Sequence, residues 1–226
     1  MVEIKATWEY CGTHSNKIEL DRMGTFIYMF RGIPKRIIYV GTCHSRLFHV
    51  EWATHTKNMW GGKYTIWRAS VYEDIYNLIS YHNEPDMVEY YKKLGKYLMV
   101  WCPKDDSGSK NMFNDKDSFE SNWEDYIRNY YQPNIDIWAC ALSNHQDIKN
   151  ENLKHYAEIL ESQIQVALGK HFCLGYYKTE GPTQNWLGKQ QIKDKDTLFS
   201  VKFTFENLPD VDSQTAMILR NLHAFI

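Results

Sequence analysis

Apolar and polar positions along the chain predict several short strands and one long helix. Alternating or continuous apolar runs predict strands over Ile4–Tyr10, Thr25–Phe30, Arg36–Val40, Ile135–Leu142 and Phe199–Phe205. Apolar residues at spacings of three and four predict a helix over Asn150–Leu168, with Gly169 ending it. This mixture of short strands and helices predicts an α+β protein.

Two strands are joined by a short connection that contains turn residues. Gly32 and Pro34 lie between Phe30 and Arg36, which predicts a hairpin. After the second strand, Ser45 is a candidate N-cap for a helix that runs to about Lys57. The N-terminal part of the chain therefore has the order hairpin, then helix.

The segment 64–135 has a mixed pattern and interrupts the sequence between that helix and the strand at Ile135–Leu142. Its first part predicts two short strands and two helices, and 103–122 is a polar stretch rich in Ser, Asp, Asn and Lys. An aromatic helix is expected over Trp123–Tyr131. We interpret 64–135 as an inserted α/β subdomain. Residues 211–226 predict a partly helical tail.

Composition narrows the class of protein. The chain has 226 residues, and no run of 18 apolar residues predicts a membrane span. The first residues have no features of a secretory signal, and five scattered cysteines favour reduced thiols, so a cytoplasmic location is expected. Cys11 and His14 have the spacing of half a zinc site, to which Cys43 and His44 could contribute in space.

Charge is distributed unevenly. The formal net charge is −2, but residues 22–72 contain eight Lys and Arg residues and only one acid, Glu51. That segment carries +7, so the rest of the chain carries −9. A local basic surface is typical of phosphate binding, although most charge clusters are only solvated faces.

The same basic segment holds a set of side chains suited to phosphodiester cleavage. Tyr28 and Tyr39 lie on the two predicted hairpin strands, Gly41 follows the second, and Arg46 and His49 are three residues apart on the predicted helix. Cleavage needs a proton acceptor for water and a fixed cation for the phosphate. Alternatively, Tyr28 and Tyr39 only pack within the sheet, since the chain has 16 tyrosines and most of them must be structural.

These residues resemble the motif of the GIY-YIG nuclease superfamily. Phe26-Ile27-Tyr28 is similar to its first strand, and Tyr39-Val40-Gly41 is similar to its second. Leu160-Glu161-Ser162-Gln163-Ile164 is similar to its glutamate helix, and Asn185 to its terminal asparagine. The resemblance covers about 24–60 and 136–187. Three departures are Phe26 in place of Gly, Thr42 where many members carry a lysine, and a Tyr39-to-Arg46 interval of seven residues, which is shorter than usual.

The resemblance implies a role for each matching residue. Tyr39 is expected to be the general base or a proton relay, Tyr28 to orient water or phosphate, and Arg46 to clamp the phosphate. His49 is expected to donate to the phosphate or carry a proton, and Asn185 to tie its loop to the site. Glu161 is expected to bind Mg²⁺ or Mn²⁺.

The resemblance also implies a fold and a partner. The fold expected is a small GIY-YIG core, a three-stranded, mainly antiparallel sheet flanked by helices, over 1–63 and 136–190, with the insert at 64–135 and a C-terminal extension over 191–226. DNA is the expected partner, without membrane association, and cutting both strands implies a homodimer on DNA. DNA contacts are expected from the basic residues Arg31, Lys35, Arg36, Lys57, Lys63 and Arg68.

Two functional readings follow. The first is a metal-dependent DNA endonuclease, of which type II restriction enzymes are examples. The second is a catalytically weak or inactive nucleic-acid-binding or regulatory module on the same fold, which Thr42 and the short Tyr39-to-Arg46 interval favour. An unrelated α+β protein with a chance match is a third possibility.

Overall fold

The computed structural model describes residues 1–30, 36–60, 66–67, 99–101, 125, 127–142, 148–171 and 195–226. It is a mixed α+β structure, as the sequence predicts. A four-stranded antiparallel sheet and a two-stranded parallel sheet are accompanied by helices. Another short antiparallel pair joins β5 (Ile66–Trp67) and β6 (Met99–Trp101).

The four-stranded sheet has the order β2-β7-β3-β4. These strands are β2 (Trp8–Thr13), β3 (Gly24–Phe30), β4 (Arg36–Cys43) and β7 (Ile135–Cys140). The predicted hairpin of β3 and β4 is confirmed, and β7 pairs with the other edge of β3. The prediction had three strands, whereas β2 adds a fourth beside β7.

The predicted strand at Ile4–Tyr10 is in fact two strands that belong to different sheets. β1 (Val2–Ala6) runs parallel to β8 (Val201–Phe205), near the C-terminus. The chain then crosses at Thr7 to β2 in the antiparallel sheet. A single apolar alternation cannot reveal this crossing, because both strands continue the same period of two.

Two main helices cover opposite faces of the antiparallel sheet. Helix α1 (Phe48–Trp60) contacts Phe26 on β3 through Phe48 and Trp52, with ring centroids 6.1 and 6.3 Å apart. Helix α2 (Asn150–His171) lies against the other face, where the Thr25 hydroxyl donates to the Ala157 carbonyl at 3.1 Å. Adjacent strand residues point to opposite faces of a sheet, so the contacts of Thr25 with α2 and of Phe26 with α1 show that the two helices lie on opposite faces.

Short helical segments complete the described fold. They are a π-helix at Ile127–Tyr131, a 3-10 helix at Gln132–Asn134, and the helices α3 (Lys195–Leu198), α4 (Ser213–Arg220) and α5 (Leu222–Phe225). Buried Gln163 of α2 donates to the carbonyls of Leu198 and Val201, both at 2.7 Å, and so fixes the start of β8. Asp212 caps α4 through hydrogen bonds from the backbone N–H groups of Gln214 and Thr215. The partly helical tail is confirmed.

In the described part of the chain, no helix is both long enough and apolar enough to cross a membrane. The buried core runs from the two sheets to α2, and it includes Trp8, Phe26, Trp52, Leu160 and Ile164.

Candidate active site

The hairpin sets the two motif tyrosines directly opposite each other. Tyr28 of β3 pairs with Tyr39 of β4, and their rings stack with centroids 5.3 Å apart and an interplanar angle of 29°. Both rings lie on the α1 face, since Phe26 shares their side of the sheet and contacts α1. The spacing of the two tyrosines in the sequence is thereby explained by register.

Tyr28 is buried and its hydroxyl is engaged. Only 2% of this residue is exposed, and its Oη lies 2.9 Å from Nδ1 of His55 on α1. The His55 ring stands edge-on to both tyrosines, at 5.6 Å from Tyr28 and 5.3 Å from Tyr39. The Tyr28 hydroxyl is therefore bonded to α1 through His55, while the half-buried Tyr39 is the phenol nearer to solvent.

Glu51 joins His55 to Arg46. Its Oε1 lies 3.3 Å from His55 Nε2, and its Oε2 lies 2.8 Å from Arg46 Nε. The hydrogen bond from His55, with the positive charge of Arg46 adding to it, holds the pKa of the Glu51 carboxyl below its usual range. A polar chain of Tyr28, His55, Glu51 and Arg46 thus runs from the buried sheet to the surface.

Arg46 precedes α1, contrary to the prediction that it lies on the helix. The helix begins at Phe48, whose N–H donates to the Arg22 carbonyl at 3.1 Å, so Ser45 is not the cap. Arg46 Nη1 also donates to Thr54 Oγ1 at 3.3 Å, and about half of the arginine side chain is exposed. The guanidinium is held in place but reachable from solvent.

His49 does not share a helix face with Arg46. Its Nδ1 lies 3.1 Å from Asp21 Oδ1 without hydrogen-bond geometry, so the contact counts only as an ion pair when the ring is charged. His49 and Arg46 therefore contact different acids. The expected pairing of the two on one face is wrong because the helix starts two residues after Arg46.

A second buried histidine also contacts Tyr28. His14 follows β2 and meets the Tyr28 ring edge-on at 4.9 Å, while its Nδ1 lies 3.2 Å from Thr56 Oγ1. Lys17 Nζ donates to the same Thr56 oxygen at 2.9 Å. Burial, followed by the nearby charge of Lys17, lowers the pKa of His14 well below its usual value. His14 is therefore neutral at pH 7.

Sequence reasoning placed none of His14, Glu51 and His55 at the tyrosine site, and it named His14 only as half of a zinc site. Glu51 and His55 are four residues apart on one helix, a spacing that puts a carboxylate and an imidazole side by side. That signal was present in the sequence, next to the tyrosine motif. His14 could not be found this way, because its approach to Tyr28 depends on the pairing of β2 with β7.

Gly41 leaves the space that the Phe26 ring occupies. A Cβ at Gly41 would lie 2.7 Å from the Phe26 ring and 2.7 Å from the Tyr39 ring. The two positions are also direct partners in the hairpin register. The large residue in the first strand therefore needs the smallest one in the second, and Gly41 has a packing role here.

Glu161 lies on α2 and so on the opposite side of the sheet from the tyrosines. It is partly buried, and its Oε1 accepts a hydrogen bond from Gln165 Nε2 at 3.2 Å. Among the described residues, no group of three or more His, Cys, Asp or Glu side chains could hold a metal ion. Glu161 and Tyr39 lie on opposite faces of the sheet, so a magnesium ion held by Glu161 would not also contact Tyr39.

Only some of the predicted DNA-contacting residues are among the described residues. Arg31, Lys35, Lys63 and Arg68 fall outside the described residues, as does the predicted catalytic Asn185, and the Arg36 side chain is not described. Lys57 is exposed in the last turn of α1. Lys57 and Arg46 are the basic groups of the prediction whose placement on the α1 side is described.

The cysteines with described positions are buried thiols. Cys11, Cys43 and Cys140 are free and buried, and Cys43 Sγ donates to the Arg46 carbonyl. Burial raises the pKa of Cys11 to about 12 and that of Cys43 to about 11. Both are therefore protonated at pH 7 and are poor nucleophiles.

Comparisons with known proteins return no match: no family model, no curated protein and no solved structure is similar to this chain.

Proposed function

We propose that this protein is a DNA endonuclease that hydrolyses phosphodiester bonds on the α1 face of its antiparallel sheet. The observation that carries the proposal is the contact between the paired tyrosines and His55, connected through Glu51 to a half-exposed arginine. The resemblance of the tyrosine hairpin to GIY-YIG nucleases supports it further.

Arg46 is proposed to bind the phosphate. Guanidinium donors fit two phosphate oxygens and neutralise the charge that builds up in the transition state. Arg46 is held by Glu51 and Thr54 and remains half-exposed, so it can meet a phosphate with little rearrangement. Lys57, exposed in the last turn of α1, is proposed to extend the basic surface.

Tyr39 is proposed to take the proton from the attacking water. It is the phenol nearer to solvent, whereas the hydroxyl of Tyr28 is buried and bonded to His55. An ordinary tyrosine has a pKa near 10, so it needs positive charge nearby to act as a base at pH 7. Arg46 is proposed to supply part of that positive field.

Mg²⁺ or Mn²⁺ bound by Glu161 remains a separate part of the proposal. One carboxylate with waters and phosphate oxygens is enough for Mg²⁺. Because Glu161 is on the face opposite Tyr39, none of the steps above passes through it. The metal requirement and the role of Glu161 are therefore tested independently of Tyr39.

A second candidate is a nucleic-acid-binding module without catalysis. Two observations favour it: Glu51 already neutralises Arg46, and Glu161 is on the other face of the sheet. Such a module would bind DNA through Arg46 and Lys57 and would cut it at no measurable rate.

The experiment is cleavage of supercoiled plasmid and of mixed genomic DNA with Mg²⁺ or Mn²⁺. Wild type is compared with Arg46→Ala, with Glu161→Ala, and with Arg220→Ala as a surface control on α4. Discrete bands lost in Arg46→Ala support a sequence-specific endonuclease, and a smear lost in that variant supports a nonspecific one. DNA binding without cutting by any form favours the binding module.

The dimer is a further part of this proposal and has its own readout. Two active sites related by a two-fold axis can cut both strands at one site in a single encounter, so we expect two copies of the chain on a duplex. Sedimentation of the protein with and without a short duplex measures this directly. A complex containing one chain per duplex, together with double-strand cutting, would contradict it.

A further inference from the structure

The geometry points to Glu51 as a positioning residue that holds Arg46 and His55 in their working orientations with one carboxylate. This inference deepens the proposed function and rests on it. Each oxygen has its own partner: Oε1 is 3.3 Å from His55 Nε2, and Oε2 is 2.8 Å from Arg46 Nε. Because both groups bind the same carboxylate, the orientation of the Arg46 guanidinium depends on the orientation of the His55 ring.

On the histidine side, Glu51 selects the tautomer. A carboxylate only accepts hydrogen bonds, so His55 must carry its proton on Nε2. The neutral ring then has a lone pair on Nδ1, which accepts from the Tyr28 hydroxyl 2.9 Å away. When the His55 ring is neutral, the hydrogen bonds can therefore run only from the Tyr28 hydroxyl to His55 Nδ1 and from His55 Nε2–H to Glu51.

On the arginine side, Glu51 selects the edge of the guanidinium that is offered to a ligand. Nε is bound to Glu51, and Nη1 donates to Thr54. Within the described residues, Nη2 has no polar partner, and the side chain is 48% exposed. The end-on edge of Nη1 and Nη2 therefore faces the position where a phosphate would be bound through two oxygens.

Burial gives this arrangement its strength. The Glu51 side chain is 18% exposed, against 48% for Arg46, so water competes little for the carboxylate. The lowered pKa of Glu51 means that the group is ionised near neutral pH. Glu51 lies in an otherwise basic segment, and its two contacts account for an acid at that position.

The test uses NMR of the isotope-labelled full chain, so it does not depend on activity. Long-range proton–nitrogen correlations report the tautomer of His55, and the Nε–H signal of Arg46 reports its bond to a carboxylate. We expect the Nε2–H tautomer and a protected Arg46 signal in the wild type. In Glu51→Gln the amide cannot accept from both groups, so at least one signal should change.

Two further variants keep the result interpretable. Glu51→Asp keeps the charge but is one methylene shorter, so it too should lose at least one of the two contacts. Glu3→Gln removes an exposed ion-paired acid from β1 and should leave both signals unchanged. A wild-type His55 in the Nδ1–H tautomer would overturn the inference, as would unchanged signals in both Glu51 variants.

Cleavage kinetics add a second readout. Glu51→Gln should raise KM for plasmid about tenfold, because loss of a charge-assisted hydrogen bond leaves Arg46 without a fixed orientation. If the wild type cuts no DNA, the proposed function fails, while the NMR signals still decide whether Glu51 positions the two groups. If the wild type cuts and KM is unchanged in a Glu51 variant with altered signals, the inferred role in phosphate binding is wrong.

Discussion

The two faces of the antiparallel sheet bury different kinds of side chains. On the α1 face, tyrosine and phenylalanine rings surround two histidines, and a carboxylate and an arginine lead to the surface. On the α2 face, the Thr25 hydroxyl donates to helix backbone and the Asp136 carboxylate accepts from Tyr10, among buried residues such as Leu160 and Ile164. Polar groups are costly to bury, and the α1 face connects Tyr28, His55, Glu51 and Arg46 in one set that reaches the surface, so it is the face on which we propose the chemistry.

This contrast predicts that substitutions on the two faces will have separable effects. Changes to polar groups on the α1 face should alter activity while the fold remains. Changes to aliphatic residues on the α2 face should lower stability while the folded fraction keeps its activity. The predictions below run from the largest expected effect to the smallest.

Tyr39→Phe should reduce cleavage by roughly 10²- to 10⁴-fold, because it removes the group proposed to take the proton from water. The ring and its stacking on Tyr28 remain, so the melting temperature should change little. Plasmid cleavage rates and thermal melting of the same samples measure both. Tyr10→Phe is the matched control, since it removes a hydroxyl bonded to Asp136 elsewhere in the sheet; an equal loss in that variant would contradict the assignment.

Leu160→Ala should lower the free energy of unfolding by about 2–5 kcal/mol, as large-to-small changes in a packed core do. Leu160 is fully buried on α2. Urea unfolding measures the change, and kcat/KM per folded molecule should stay within about twofold of wild type. A loss of kcat/KM as large as that of Tyr39→Phe would erase the distinction between the two faces.

Gly41→Ala should destabilise the hairpin by about 1–3 kcal/mol through overpacking. The new methyl group would meet the Phe26 and Tyr39 rings at 2.7 Å. The double variant Phe26→Leu with Gly41→Ala provides room for that methyl and should recover part of the loss. Urea unfolding of both variants tests whether the two positions interact; purely additive effects would refute it.

Lowering the pH should destabilise the protein through His14. The unfolded histidine has a pKa near 6.5, and burial lowers the pKa of His14 in the folded state, so the unfolded state binds more protons below pH 6.5. Stability is thus fully present above that pH and falls as the pH drops, by up to about 2 kcal/mol at pH 5. Urea unfolding at several pH values should show this slope, and it should be reduced in His14→Gln.

The sequence predicted most of the local elements, because their apolar periods were unambiguous. The hairpin, β7 and α2 lie where the pattern placed them, although α2 continues past Gly169 to His171. The start of α1 was misplaced because a tertiary contact satisfies its first N–H: Phe48 bonds to the Arg22 carbonyl. The pairing of β1 with β8 joins the two ends of the chain, which local patterns cannot show.

The candidate site was predicted only in part. Spacing was enough to pair Tyr28 with Tyr39, since hairpin register follows from the turn and the apolar pattern. The partners that connect them to Arg46 come from side-chain directions on α1, which depend on where the helix begins. The face on which Glu161 lies depends on how α2 crosses the sheet, and no motif specifies that crossing.

The most direct test of the account is to find which face of the sheet DNA contacts. Amide spectra of the labelled protein would be recorded with and without a short duplex, in the absence of divalent metal so that no cutting occurs. The account predicts shifts at Arg46, Thr54 and Lys57, and none over 153–160 of α2. Shifts confined to α2, with the α1 signals unchanged, would contradict the claim that the tyrosine face is the one that binds and cuts DNA.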